Sequence, residues 1–195
     1  MKRLFSLILV LTIVFTAKAQ FKIVEDFEGS SKFNWSEYAD KEMSTLIMGG
    51  YLELNKLSDD LAAIWCHTDL PINPELDFKI TAKLLVPKIE EGEKFGVLID
   101  RDEDFNKLAF LFEPEKFMAY QYNDGIDKTK GETIRIKLKE GKNQTIDLVI
   151  ERKGGSYIIS YNNMEVFRWR KPLNSPYFAF FTTSKLKVEE MTLEQ

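Results

Sequence analysis

One cysteine, Cys66, and one histidine, His67, stand in 195 residues, and the two shortages exclude whole classes of chemistry. A single thiol closes no disulfide within the chain. A single imidazole rules out a multi-histidine zinc site, and a site without histidine would need more cysteine or several carboxylates. Any Ser-His-Asp arrangement would have to be built around His67, yet no G-x-S-x-G turn is present to present a nucleophile. Glycine-rich phosphate loops are absent too, because the glycine pairs lie between strand-like runs. No cluster of Lys and Arg occurs, and the formal net charge is −4. A net-acidic chain of this kind is a poor binder of nucleic acid or anionic membranes. No stretch reaches the ~20 apolar residues of a membrane-spanning helix, and no run of ten or more residues has a helical period, low complexity or an internal repeat.

The first nineteen residues carry a basic start at Lys2 and Arg3, an apolar run from Leu4 to Phe15 and the small-residue pattern Ala17-Lys18-Ala19. This pattern predicts a secretory signal peptide cleaved before Gln20. Position 20 is not Cys, so attachment through a lipidated cysteine at that point is not expected. Loss of Lys2, Arg3 and Lys18 with the leader would take the charge from −4 to −7. Residues 20–195 have the size of one ordinary domain. Export to the periplasm or beyond the cell is the expected destination, without membrane insertion after cleavage. Cys66, in Ala62-Ala63-Ile64-Trp65-Cys66-His67, reads as a buried thiol on a strand.

What the chain has in quantity is strand signal. The clearest is Phe95 to Gly125, where apolar runs at 95–99, 107–112 and 117–122 are bounded by Asp, Asn, Pro and Gly, the residues that supply turn geometry. Further runs are expected at 22–27, 43–47, 51–54, 61–67, 77–85, 133–138, 145–152, 156–161, 165–169, 177–183 and 187–193. Hairpin turns are expected at Gly49-Gly50, Gly154-Gly155 and Asn162-Asn163, and irregular chain at 28–40, 68–75 and 123–132. Phe78, Ile80, Ala82 and Leu84 alternate with Lys79, Thr81 and Lys83, and Ile146, Leu148 and Ile150 alternate with polar neighbours, so each strand has one buried and one wet face. The runs 110–112 and 177–181 are apolar on both sides and belong in central strands or under a cover. So many short strands predict an all-β, antiparallel two-sheet sandwich or barrel.

In this strand order the chain resembles the concanavalin A-like lectin/glucanase superfamily, and within it the laminin-G-like jelly rolls of secreted bacterial proteins. The carrying segments are D-F-E-G with Trp35 following, G-G-Y-L-E-L, L-D-F-K-I-T-A-K, F-G-V-L-I-D-R-D-E-D-F-N-K-L-A-F-L-F, I-D-L-V-I-E-R-K-G-G-S-Y-I-I-S-Y-N-N-M-E-V-F and K-V-E-E-M-T-L. The family's frequent Asn-Gly is replaced by Asn162-Asn163. The resemblance implies a jelly-roll sandwich with a concave face, on which better-understood members hold an oligosaccharide. Members also include hydrolases and protein-binding modules, so fold alone does not assign function.

Retaining glycoside hydrolysis needs two carboxylates about 5 Å apart, written Glu-x-Asp-x-Glu on one strand in family 16 glucanases. The nearest match, Glu75-Leu76-Asp77-Phe78-Lys79, ends in Lys and reads as a loop entering a strand. Asp100, Asp102 and Asp104 open like a calcium loop, but Phe105 stands where the turn glycine belongs and Leu111 where the bidentate Glu belongs, so they read as an acidic hairpin. We therefore expect no catalytic residue, no metal and no cofactor. Trp65 and His67 share one face of a strand and Tyr120 and Tyr122 one face of another. Aromatic rings with a polar rim suit carbohydrate, and these four residues are the expected ligand-binding platform. The expected function is a non-catalytic exported module for an oligosaccharide or surface glycan. A glycoside hydrolase or lyase with carboxylates from loops, and a module docking a protein partner through 177–181, are the alternatives.

Overall fold

Short β-branched and aromatic runs closed by turn residues favour extended chain over helix. The computed structural model describes residues 21–104, 106–123, 126–127, 132–136, 138 and 143–195, and these contain strands and no helix. In chain order the strands are β1 (Lys22–Glu25), β2 (Tyr38–Ala39), β3 (Met43–Met48), β4 (Tyr51–Lys56), β5 (Ile64–Asp69), β6 (Phe78–Val86), β7 (Phe95–Ile99) and β8 (Lys107–Glu113). They continue with β9 (Lys116–Asn123), β10 (Ile126–Asp127), β11 (Glu132–Arg135), β12 (Gln144–Lys153), β13 (Ser156–Tyr161), β14 (Met164–Arg170), β15 (Tyr177–Thr182) and β16 (Lys185–Glu194). One sheet runs β14-β13-β12-β6-β16-β4-β3-β2 with β1 added beside β16. The other runs β10-β9-β8-β7-β15-β5 with β11 beside β9. Every pairing is antiparallel. Non-sequential neighbours such as β6, β16 and β4 mark the crossovers of a jelly roll.

The turn chemistry follows the sequence. Gly49 and Gly50, Gly154 and Gly155, and Asn162 and Asn163 all have positive φ, the geometry whose twist matches a tight hairpin. Strands β2 and β10 fall inside stretches expected to be irregular. Both are two residues long, too short to show a period of two. β2 exists because Tyr38 and Ala39 pair with Thr45 and Ser44, with the Tyr38 N–H also donating to Thr45 Oγ1 at 3.0 Å.

The sheets pack on a core drawn from both inner faces. Ile80, Ala82 and Leu84 of β6 and Ile146, Leu148 and Ile150 of β12 meet Val97 of β7, Phe110 and Phe112 of β8, and Phe178 and Phe180 of β15. Rings bridge the layers: Phe112 lies 5.7 Å from Tyr161 and Phe110 6.1 Å from Tyr157. Trp35 closes one end, stacked on Phe180 at 5.5 Å between Phe27 and Phe33. The loop that delivers it is held by Glu25, fully buried, whose carboxylate accepts from Ser31 Oγ (2.6 Å) and from the N–H groups of Phe27, Lys32 and Phe33. Cys66 is a free, buried thiol, and burial pushes its pKa up to about 11.

Candidate functional site

Residues two apart on a strand share a face, so the register fixes what the seven-stranded sheet presents on the side away from the core. One rung reads Trp65, Phe181, Gly96, Leu111, Met118 across β5, β15, β7, β8 and β9; the next reads His67, Ala179, Leu98, Ala109, Tyr120. Beyond them Tyr177 pairs with Asp69, and Lys107 with Tyr122. Leu98, Ala109, Leu111, Tyr120, Tyr177, Ala179 and Phe181 form a second apolar cluster, separate from the inter-sheet core. Trp65, His67 and Tyr120 thus share one face. Tyr122 takes its place in the next rung, but its side chain lies outside the described part of the structure.

The four residues do not form one contiguous patch. His67 and Tyr120 end a five-strand rung, and four inter-strand steps separate them by roughly 19 Å. Trp65 is 36 % exposed, whereas Tyr120 is 8 % exposed among the cluster residues. The middle of the outer face is therefore itself buried, with Leu98, Ala109, Leu111, Ala179 and Phe181 at most 3 % exposed, and the Trp65 indole at the β5 edge is open.

Trp65 and His67 are tied into a ring and cation group that local sequence does not reveal. The His67 ring stacks on Tyr177 at 5.5 Å and 21°. Arg101 Cζ lies 5.5 Å from the centre of that tyrosine ring, and Lys107 Nζ lies 5.9 Å from it and 5.7 Å from the Trp65 ring. Burial holds the His67 pKa below its usual value. Asp69 opposes that shift, while Arg101 and Lys107 add to it. His67 is consequently a neutral imidazole at pH 7, and its backbone is fixed by Ser36, whose Oγ accepts the His67 N–H at 2.8 Å.

Beside this group opens a cleft of about 780 Å³, walled by 101–104 on one side and by Asn174, Ser175 and Pro176 on the other, with His67, Asp69 and Tyr177 at its base. Asp100 joins the two walls. It is 4 % exposed with φ 58°, and its carboxylate accepts from the backbone N–H of Asn174, from Ser175 N–H at 2.9 Å and from Asn174 Nδ2 at 3.1 Å. Desolvation by burial raises its pKa, opposed by those hydrogen bonds. Asp102 is occupied within its own turn, accepting from Asn106 N–H at 2.8 Å and Asn106 Nδ2 at 2.9 Å. The acidic stretch is thus the hairpin the sequence suggested, and no group of three His, Cys, Asp or Glu is placed to hold a metal among the described residues.

Asp69, Glu103 and Asp104 also line this cleft, whereas the carboxylates that the sequence offered elsewhere are dispersed. Asp77 accepts from Gly154 N–H at 2.9 Å, supporting the β12–β13 turn, and Glu75 lies exposed in the loop before β6. Glu113 ends β8 beside Lys116 (2.8 Å) and Lys94 (3.7 Å). It stands six residues along the strand from Lys107, roughly 20 Å from the Asp100 end of the face. Sequence reasoning passed over Tyr177, Arg101 and Lys107 as site residues and took Asp100 only as one acid of a hairpin. The available signal was the run Tyr177-Phe178-Ala179-Phe180-Phe181, apolar on both sides, which announced an occupied outer face on β15.

No family model and no curated protein matches this sequence. Solved structures do match its fold. One described among endo-acting O-glycanases that members of the human gut microbiota express to initiate mucin breakdown aligns over 88 % of this chain and 97 % of its own, at 10 % identity and a TM-score of 0.62. The β-glucanase of Bacillus licheniformis aligns over 88 % and 97 %, at 8 % identity and 0.61. The laminarinase of Flavobacterium sp. UMI-01 aligns over 89 % and 99 %, at 10 % identity and 0.57. The architecture is the concanavalin A-like jelly roll.

Proposed function

We propose that residues 20–195, on this jelly-roll scaffold, act as an exported carbohydrate-binding module that holds a glycan on the outer face of the seven-stranded sheet and does not cleave it. The observation that carries the reading is the half-exposed Trp65 indole at the β5 edge, beside a buried apolar cluster and next to a polar cleft. A sugar ring offers an apolar face to stack on an indole and hydroxyls to hydrogen-bond a rim. Asp69, Asn174 and Ser175 supply that rim. The glycan-directed names of the three structural neighbours agree with a sugar ligand.

Binding without cleavage is favoured by where the carboxylates stand. Retaining and inverting hydrolysis need two of them about 5 Å or about 6.5–9.5 Å apart across the sugar bond. The two central rungs carry none among the described residues, and both Asp100 oxygens are occupied by the 174–175 segment. Asp102 is taken up by Asn106, which leaves Asp69, Glu103 and Asp104 of the cleft lining as the acids that a cleavage reaction would have to use. Export rests on the leader-like residues 1–19, and intact-mass analysis of the protein recovered outside the cytoplasm should show a chain beginning at Gln20.

A glycan array probed with purified residues 20–195, followed by calorimetry on any hit, tests the reading. Trp65→Ala should remain folded and lose roughly tenfold in affinity, the upper end of the ~0.5–1.5 kcal/mol expected of an aromatic contact. Release of new reducing ends from a bound glycan would overturn the non-catalytic part. An array without any hit would overturn the carbohydrate part and turn attention to a protein partner at the same face.

A further inference from the structure

Asp100 lies behind the lining of the cleft, and unlike Asp102, whose side-chain bonds stay within its own turn, it reaches a distant part of the chain. It is a buried, non-glycine residue in the left-handed region, at φ 58°, a conformation that is uncommon for a residue with a Cβ. It occupies the point where β7 ends and the 101–104 wall begins. Its carboxylate takes three donors from a segment 74 and 75 residues away in sequence, and its own N–H donates to Tyr177 O at 3.0 Å. That segment leads directly into Tyr177, the ring that stacks on His67 and lies under Arg101.

We infer that Asp100 is the positioning residue of the cleft: through its carboxylate it joins the two walls and sets the Tyr177 ring against His67. The inference uses the proposed binding face but does not depend on the identity of its ligand. An aspartate suits the task because an ionised carboxylate accepts on two oxygens and donates nothing, and charge-assisted bonds to N–H groups are the stronger kind. Asparagine in its place would turn one acceptor into a donor facing other donors. Glycine would remove the carboxylate while relieving the positive φ, so Asp100→Gly separates the clamp from the backbone conformation. The other fixings of the segment, Leu70 N–H to Pro176 O at 2.9 Å and Tyr177 N–H to Ser175 Oγ at 3.4 Å, leave its Asn174 end held by Asp100.

His67 is the only histidine, so in an untagged protein its NMR titration reads the Tyr177 contact without interference. Asp69 from its own strand, Arg101 from the cleft wall and Lys107 from β8 are the charged groups acting on it. Releasing 174–176 should loosen the stack, hydrate the imidazole and move its midpoint upward toward the ordinary value, in both Asp100→Gly and Asp100→Asn. Asp77→Asn, which loosens the β12–β13 turn outside the cleft, should leave the midpoint where it is. For a glycan that the wild type binds, Asp100→Gly should lose roughly tenfold in affinity while the far-ultraviolet circular dichroism and the folded fraction stay unchanged. A folded Asp100→Gly with the wild-type His67 midpoint overturns the inference. If the wild type binds no glycan, the binding reading falls, and the His67 titration still decides the role of Asp100.

Discussion

On the nine-stranded sheet the side chains directed away from the core include Lys79, Thr81 and Lys83 of β6, Asp147 and Glu151 of β12 and Lys187 of β16. On the seven-stranded sheet they are Leu98, Ala109, Leu111, Tyr177, Ala179 and Phe181. The first face is laced by surface ion pairs, Lys83 with Glu189 at 2.8 Å and Lys187 with Glu53. Pairs of this kind keep a sheet face solvated and contribute little stability. The second face repeats the composition of a core on the wrong side of the sheet. Antiparallel sheets ordinarily keep one face wet, whereas β7, β8 and β15 are apolar and buried on both faces.

Four measurements test that contrast. The largest effect is expected at Gly96, in the middle rung of the seven-stranded sheet. Its φ is 151°, and a Cβ there would lie 2.1 Å from the Phe110 carbonyl oxygen. Gly96→Val therefore forces β7 from β8 and should cost about 3 kcal/mol or more in urea denaturation. A near-wild-type midpoint would mean that the two strands are not so closely seated.

Next comes the contrast itself. Leu98, fully buried on the outward side, should lose about 2–4 kcal/mol as Leu98→Ala, whereas Thr81→Ala on the opposite sheet should stay within about 0.5 kcal/mol. Equal effects would break the distinction between the faces. The acid response is smaller. The folded-state pKa of His67 lies below its unfolded value, so its stabilising contribution is complete above about pH 6.5 and is lost as pH falls from there through the depressed folded value. Asp100 runs the other way: its pKa is raised in the fold, so acidification through that raised value towards the ordinary aspartate range relieves an unfavourable buried charge. A His67→Gln variant should flatten the stability loss just below pH 6.5, and an unchanged profile would assign it to other groups. The smallest effect is expected for Lys83→Ala, an exposed ion pair whose removal should leave the denaturation midpoint unmoved.

Much of the fold was legible because strand signals are local. The run 95–99 is β7 and 156–161 is β13, residue for residue, and the Gly-Gly and Asn-Asn turns carry the positive φ their residues imply. The pairing of Trp65 with His67 was legible for the same reason, a period of two within one strand. The site was less so. Nothing near Tyr120 tells that Ala179, Leu98 and Ala109 separate it from His67, or that its ring is packed away. Asp100 looked like one acid of an acidic turn, since its partners at 174 and 175 lie on a distant segment.

The sequence by itself determined that the described residues are built of strands, which face of β6 and β12 is apolar, where the Gly-Gly and Asn-Asn hairpins turn, and that chemistry needing several histidines or cysteines is closed to the chain. Those properties follow from side-chain alternation and turn residues, which act over two to four positions. Only the tertiary structure decided that β15 lies between β5 and β7, which brings Tyr177 onto His67 and Arg101 and sets Asp100 against the 174–175 backbone. Register between strands dozens of residues apart is chosen by the packing of whole faces, and no short stretch of sequence contains that choice.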